Sequence, residues 1–291
     1  MATSDSPKSI AATGTLQVAV KAGAAPQVLQ YIFSDDFSSG DLSKTENGFT
    51  WTGGFRLSPS TENPRSGTHS LKARYQSIDD PANGNTPSSW LERSFDLGAF
   101  YTSLVIEFDL YIPDGNEPWG GPRYVHRDSE LSDNNKLFRL WSNDSDGNGY
   151  VDSQSKLGAS TNLGAISGDS QVYLEGKPNS TDGTIREGFT QKSGAFNAFI
   201  TDADRGQWMS LKFDMKMPTQ FFTDKTQSDG HYKMTKNGST ILEIQLNNFR
   251  TDTVSNSNAW KVGYLLGWAN SGFVTETLLF VDNVKFSGVL K

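Results

Sequence analysis

The chain has 291 residues, of which 35% are hydrophobic, 20% charged and 12% aromatic, with a net charge of −7 and no cysteine. This composition describes a folded globular protein and excludes disulfide staples and cysteine-built zinc sites. The acidic balance argues against nucleic acid as main partner, and no stretch approaches the roughly 20 apolar residues of a membrane-spanning helix.

Residues 1–30 are rich in Ala, Ser, Thr, Gly and Gln and read as an N-terminal arm outside the main domain. Within the arm, "TLQVAVKA" alternates, with Leu16, Val18 and Val20 on one side. That face is too small to stand alone. The arm is expected to dock on a protein partner or a second copy, or to pack on its own domain. It lacks a basic stretch followed by an apolar core, so no secretory signal peptide is visible.

Residues 31–291 read as one domain. "YIFSDDFSSGDLS" is a strand followed by a turn. "SLKARYQS" sets Leu71, Ala73 and Tyr75 against Lys72, Arg74 and Gln76. "TSLVIEFDLYIP" is the clearest strand, with Leu104, Ile106, Phe108, Leu110 and Ile112 on one face and Val105, Glu107, Asp109 and Tyr111 on the other. Period two with one apolar face is the mark of a half-buried antiparallel strand. "NKLFRLWS" follows, with Phe138 and Leu140 opposite Leu137, Arg139 and Trp141. "QWMSLKFDMKMP" and "STILEIQLNN" alternate in the same way, and "KVGYLLGWAN" and "TLLFVDNVKFSG" are near-continuous apolar strands. No segment carries a sustained helical period with caps, so the fold class is all-β. Two stretches lack strand patterning: the segment between Tyr111 and Leu137, and residues 142–193. Loops of that length in a compact domain are usually functional or disordered.

Five phrases carry a family resemblance. They are "FSDDFSSGDLS" followed by "FTW", "PRSGTHSLKARY", "VIEFDLYIP", "GQWMSLKFDMKM", and "DGHYKMTKNGSTILE" followed by "FVDNVKFSG". Together they resemble the concanavalin A-like lectin/glucanase superfamily, the laminin-G-type jelly roll, over roughly residues 31–290. The resemblance implies a two-sheet antiparallel jelly-roll β-sandwich with a ligand groove on one concave sheet. It covers lectins, glycosidases, polysaccharide lyases and adhesive modules, so the function has to come from the site.

If the long strand lies in the concave sheet, Glu107, Asp109 and Tyr111 line the groove, joined by Arg139 and Trp141 from a neighbouring strand. Sugar rings stack on aromatic faces. Trp119, in the Gly- and Pro-rich "NEPWGGPRY", is the first stacking candidate, with Tyr124 next and Trp141 and Trp90 behind. Trp51, Trp208 and Trp268 fall inside apolar strand patterns and are assigned to the core.

Glycoside hydrolysis needs two flanking carboxyl groups. The glucanase branch carries Glu-x-Asp-x-x-Glu on one strand. Here "EFDLYI" supplies Glu107 and Asp109, but Ile112 holds the third acidic place. A polysaccharide lyase instead needs a Tyr or His base and a cation that neutralises the uronate carboxylate. Tyr124, His126 and Arg139 supply those types, although the Gln-x-His motif of alginate-lyase-like members is absent.

"DSDGNGYVD" places Asp144, Asp146 and Asn148 at the first, third and fifth positions of a calcium-loop pattern, with Gly149 at the turn, the Tyr150 carbonyl next and Asp152 at the ninth. The twelfth position is Ser155 rather than Glu, so any affinity for Ca²⁺ would be weak, about 10⁻⁴–10⁻³ M. A hydrated Asp/Asn/Gly turn is the other reading.

These observations give three functional readings. The first is a non-catalytic, lectin-like carbohydrate-binding or attachment module. A virion surface, fibre or capsid-decoration protein of this kind is made in the cytoplasm and acts outside the cell. The second is a polysaccharide lyase or glycoside hydrolase acting on an acidic polysaccharide. The third is a purely structural particle protein.

Overall fold

In the computed structural model the alternating segments become antiparallel strands; residues 28–75, 91–119, 135–141, 156–163, 170–177, 189–192, 202–219, 229–246, 259–267 and 276–291 are described. In chain order the strands are β1 (Gln30–Asp35), β2 (Thr45–Glu46), β3 (Phe49–Phe55), β4 (Leu57–Ser60), β5 (Ser70–Tyr75) and β6 (Glu92–Tyr111). They continue as β7 (Asn135–Trp141), β8 (Lys156–Leu163), β9 (Ser170–Lys177), β10 (Phe189–Lys192) and β11 (Trp208–Lys216). The last four are β12 (Gly230–Lys236), β13 (Ser239–Leu246), β14 (Trp260–Leu265) and β15 (Thr277–Leu290). The helical content among the described residues is one short 3-10 turn, Asp202–Asp204.

Strand β6 organises the fold. Its first half pairs with β3 and β14, with Asp96 opposite both Thr50 and Val262. Its second half pairs with β11 and β15, with Glu107 opposite both Lys212 and Lys285. The same strand therefore belongs to two layers. The first layer runs β2-β3-β6-β14-β7-β8-β9-β10, and the second runs from β15 through β6, β11 and β12 to β13, with β1 and β5 on the outer side of β15. The change of layer needs a sharp bend, and Gly98 supplies it at φ 76°. Gly48 (φ 81°) packs against this point so closely that a Cβ on Gly98 would lie 2.6 Å from the Gly48 carbonyl carbon. Only glycine adopts such an angle at no steric cost and leaves room for that contact.

The core lies between the layers and is built from aromatic contacts across them. Phe286 of the second layer meets Phe49 at 5.1 Å and Phe95 at 4.9 Å, both from the first. Further along, Phe138 of the first layer meets Phe213 of the second at 4.8 Å. The inward phases are those the alternation gave: Leu104, Ile106, Phe108 and Leu110 on β6, and Met209, Leu211, Phe213 and Met215 on β11. Arg93 is the one guanidinium sharing the phase of Phe95. It is buried against Trp51, 5.8 Å from the ring centroid, and its Nη2 donates to the Leu42 carbonyl at 2.7 Å.

Two expectations are corrected here. Residues 142–193, expected to be irregular, contain β8, β9 and β10. Their apolar stripes are thin, with Leu157, Ala159 and Leu163 in "KLGASTNL" and Val172 and Leu174 in "SQVYLEGK" diluted by small and polar residues, so the alternation is weak. Trp208 was assigned to the core; it is half-buried and sits on the opposite phase of β11 from Met209 and Leu211. Trp51 is buried as expected. The arm up to residue 27, Trp90 and Trp268 lie outside the described residues.

Candidate functional site

On the outer face of the first layer, strand register assembles one continuous row. Thr52 of β3 is opposite Ser94 of β6, Ser94 opposite Tyr264 of β14, and Tyr264 opposite Arg139 of β7. The register continues to Gly158 of β8 and Glu175 of β9. Arg139 holds this face because its neighbours Phe138 and Leu140 take the inward phase. Tyr264 and Val262 form an apolar pair separate from the main core, for the same reason on β14. Glu92, Ser94 and Asp96 share the outward phase of β6, opposite to Phe95 and Leu97.

Two members of this row are dry for the outside of a sheet, Arg139 at 3% exposed and Tyr264 at 5%, as is Glu92 one pleat repeat along β6 at 9%, while Ser94 is half-buried and Thr52 exposed. Charged groups are rarely buried unless their neighbours satisfy them. The Tyr264 ring is also held in place. Beyond β14 the chain turns at Leu266 (φ 51°), whose N–H donates to the Leu137 carbonyl at 2.8 Å. The turn lays Gly267 on the ring, where a Cβ would lie 2.5 Å from Tyr264 Cε2. The Gly267 carbonyl accepts the buried Tyr75 hydroxyl at 3.0 Å. A fixed phenol beside a buried guanidinium can place an acidic sugar, compensate its charge and exchange a proton with it. Asp96 has a structural role: it accepts from the Gly98 N–H at 2.8 Å and faces Lys261 at 3.4 Å.

The expected site residues divide between two faces. Glu107, Asp109 and Tyr111 lie on the half of β6 that belongs to the second layer, whose neighbours are β11 and β15. Arg139 and the backbone of Trp141 are in β7 of the first layer, paired with β14 and β8. Arg139 and Trp141 therefore do not join Glu107, Asp109 and Tyr111 in one groove. The two halves of β6 face outward on different layers, which the alternation of a single segment does not reveal.

On the second layer, Asp109 is buried. It accepts from the Ser210 hydroxyl and from Asn283 Nδ2 at 2.8 Å, with Arg65 Nε at 3.5 Å. Asp282, in the same register row, accepts the N–H groups of Arg65, Ser66 and Asn283. Burial, with Asp109 as a lesser contributor, still raises the Asp282 carboxyl above the ordinary range. Tyr111 donates to Glu117 Oε1 at 3.2 Å. Burial, followed by the charge of Glu117, pushes its hydroxyl up to about 12, so it stays protonated and is unsuited to act as a base. Trp119 is half-buried, packed edge-on against Tyr111 at 6.0 Å and Phe280 at 5.4 Å. Of the histidines, His231 pairs with Asp214 at 3.0 Å on this outer face and His69 bonds Thr68, so neither belongs to the Arg139–Tyr264 row.

Tyr124, His126 and the loop residues Asp144, Asp146, Asn148, Tyr150 and Asp152 lie outside the described residues, as does the Trp141 side chain. Among the described residues no cluster of three or more metal-ligating side chains occurs. Sequence reasoning missed Tyr264, because "KVGYLLGW" reads as a uniformly apolar strand. The usable signal was its phase: Val262 and Tyr264 alternate with Gly263 and Leu265.

No family model matches the chain, and no curated protein matches it in sequence. Solved structures do. An alginate lyase from Chlorella virus superposes with a TM-score of 0.53 at 14% identity, over 89% of this chain and 99% of that one. A non-specific endo-beta-1,3(4)-glucanase of family GH16 superposes with a TM-score of 0.50 at 9% identity, over 91% of this chain and 93% of that one. The fold is the concanavalin A-like jelly roll. This confirms the architecture expected from the strand phrases; at such identities the likeness concerns fold, and chemistry has to be argued from the Arg139–Tyr264 row.

Proposed function

We propose that this protein is a polysaccharide lyase acting on an acidic polysaccharide, with its site on the outer face of the first layer. The observation that carries the reading is the register pairing of a buried Arg139 with a fixed Tyr264. Arg139 binds the uronate carboxylate and compensates the charge that grows on it. Tyr264, acting as the phenolate beside the Arg139 guanidinium, takes the proton from the carbon alpha to that carboxylate. The bond from the next carbon to the glycosidic oxygen then breaks. A carbon–carbon double bond remains, and the leaving oxygen takes up the proton that Tyr264 removed, which returns the phenolate. Ser94, Thr52 and Glu92 surround the sugar with hydroxyl and carboxylate groups. The likeness in fold to an alginate lyase supports the substrate class, and the absence of a third acidic residue on the Glu107–Asp109 strand weighs against the hydrolase route.

The test is formation of unsaturated uronate ends from alginate and polygalacturonate, with a neutral glucan as control. The expected result is product from one polyuronate, abolished in Tyr264→Phe and Arg139→Ala. Binding of the polymer with no product in any arm would return the protein to the lectin-like attachment reading. A role on a virion surface, calcium in the loop at 144–152 and docking through the arm belong to that second reading.

A further inference from the structure

The outer face of the second layer carries a groove of about 400 Å³, remote from the Arg139–Tyr264 row and unused by the chemistry above. Its floor and lining include Glu107, Asp109, Ser210, Lys212, Asn283 and Lys285. Both sides of it are pinned. On one side the β12–β13 hairpin turns at Asn237 (φ 49°). Asn237 donates its N–H to the Ser210 carbonyl at 2.8 Å and accepts the Ser210 N–H on Oδ1 at 2.9 Å. On the other side β15 bulges at Asn283 (φ 51°), whose Nδ2 is fixed to Asp109. A non-glycine residue at positive φ is uncommon and is held only where its surroundings require it. Here two asparagines, one on each side, occupy that region and clamp onto the floor between them.

The cations are placed differently. Lys212 and Lys285 both reach toward Glu107, each at 3.8 Å, too long for a hydrogen bond. Among the described residues Glu107 is the ion-pair partner of both ammonium groups. Their side chains are 46% and 51% exposed. Arg65 joins them, touching Asp109 through Nε at 3.5 Å, with its side chain 42% exposed. Three solvated cations thus surround the groove, Lys212 on β11, Lys285 on β15 across β6 from it, and Arg65 beside Asp109, while Asp109 is committed to Ser210 and Asn283. One pleat repeat along β11, about 7 Å away, Trp208 stands half-buried on the same face as Ser210. It packs at a tilt against Tyr111, with ring centroids 5.6 Å apart.

We propose that this groove is a second, non-catalytic binding surface for a polysaccharide bearing carboxylate or sulfate groups. A rigid floor costs little to order on binding, and half-solvated lysines on flexible four-carbon stems can close on an anionic substituent. Hydroxyl and amide groups of Ser210 and Asn283 face the rest of the sugar, and Trp208 offers the apolar surface next to it. The charge complementarity is specific, because the chain as a whole is acidic. The inference takes its ligand class from the proposed function and nothing else, since the two surfaces belong to different layers.

The experiment is gel retardation by alginate (carboxylate), carrageenan (sulfate) and laminarin (neutral), using the full chain, Arg139→Ala, Lys212→Ala/Lys285→Ala and the three combined. Arg139→Ala is expected to remain retarded by at least one anionic polymer. The double lysine variant is expected to bind about tenfold more weakly, with retardation falling as salt rises, while keeping turnover of short oligosaccharides within about twofold. Lys212→Arg/Lys285→Arg is expected to restore binding, which a lost fold would not allow. If the protein cleaves nothing, the lysine-dependent retardation still stands or falls by itself. Unchanged retardation of the double lysine variant overturns the proposal, as does retardation by laminarin alone or by no polymer at all.

Discussion

On the first layer, Arg139 and Tyr264 are almost free of solvent and their backbones are locked in register. On the second, Lys212 and Lys285 stand half in water beside a floor in which Ser210 and Asn283 are hydrogen-bonded to Asp109. The two faces put rigidity in different places. In the first, the charged group is fixed, which suits a step where an atom must be met at one position. In the second, the scaffold is fixed and the charges sit on flexible, half-solvated stems, which suits holding a polymer in more than one register.

That contrast can be broken most sharply at the phenol. Tyr264→Phe should lower the rate of polyuronate cleavage by about 10²–10⁴-fold with the fold intact, measured by appearance of unsaturated ends and by circular dichroism. Gly267→Ala should follow. Its Cβ would meet the Tyr264 ring, which must shift, so turnover should fall while groove binding on the opposite layer persists. Asp109→Ala should do the reverse. It strands Ser210 and Asn283, costing about 1–3 kcal/mol in chemical denaturation and weakening polymer retardation, with turnover per folded molecule preserved.

The smallest effect concerns the exposed Asp214–His231 pair. The hydrogen bond from His231 is the main cause that holds the Asp214 carboxyl below its ordinary value. A depressed carboxylate stabilises the fold above its unfolded pKa, and that contribution disappears as pH falls through the folded one. Both side chains are more than a third exposed, so screening limits the effect to less than about 1 kcal/mol. His231→Ala should therefore shift the acid limb of a pH-melting curve slightly upward and leave both faces functional.

Much of the fold was legible in the sequence because inward phases are written in large apolar residues. The stripes of β6 and β11 point where alternation put them. The edge of the first layer was not legible, since the apolar stripes of β8 and β9 are thin and the strands are set by pairing outward from β7, β8 on β7, β9 on β8 and β10 on β9. Arg139 was legible as a charge between two core positions. Tyr264 was hidden inside an apolar run, and only pairing across β14 and β7 sets it beside Arg139. Glu107, Asp109 and Tyr111 were correctly phased along the strand, yet which layer their half of β6 joined depended on the bend at Gly98, a contact with Gly48 fifty residues upstream.

That bend has a mechanical consequence. Because one unbroken twenty-residue segment is the spine of both sheets, neither can melt while the other survives. Denaturant should therefore take the molecule apart in a single cooperative transition, with tryptophan emission and backbone dichroism tracing one superimposable curve.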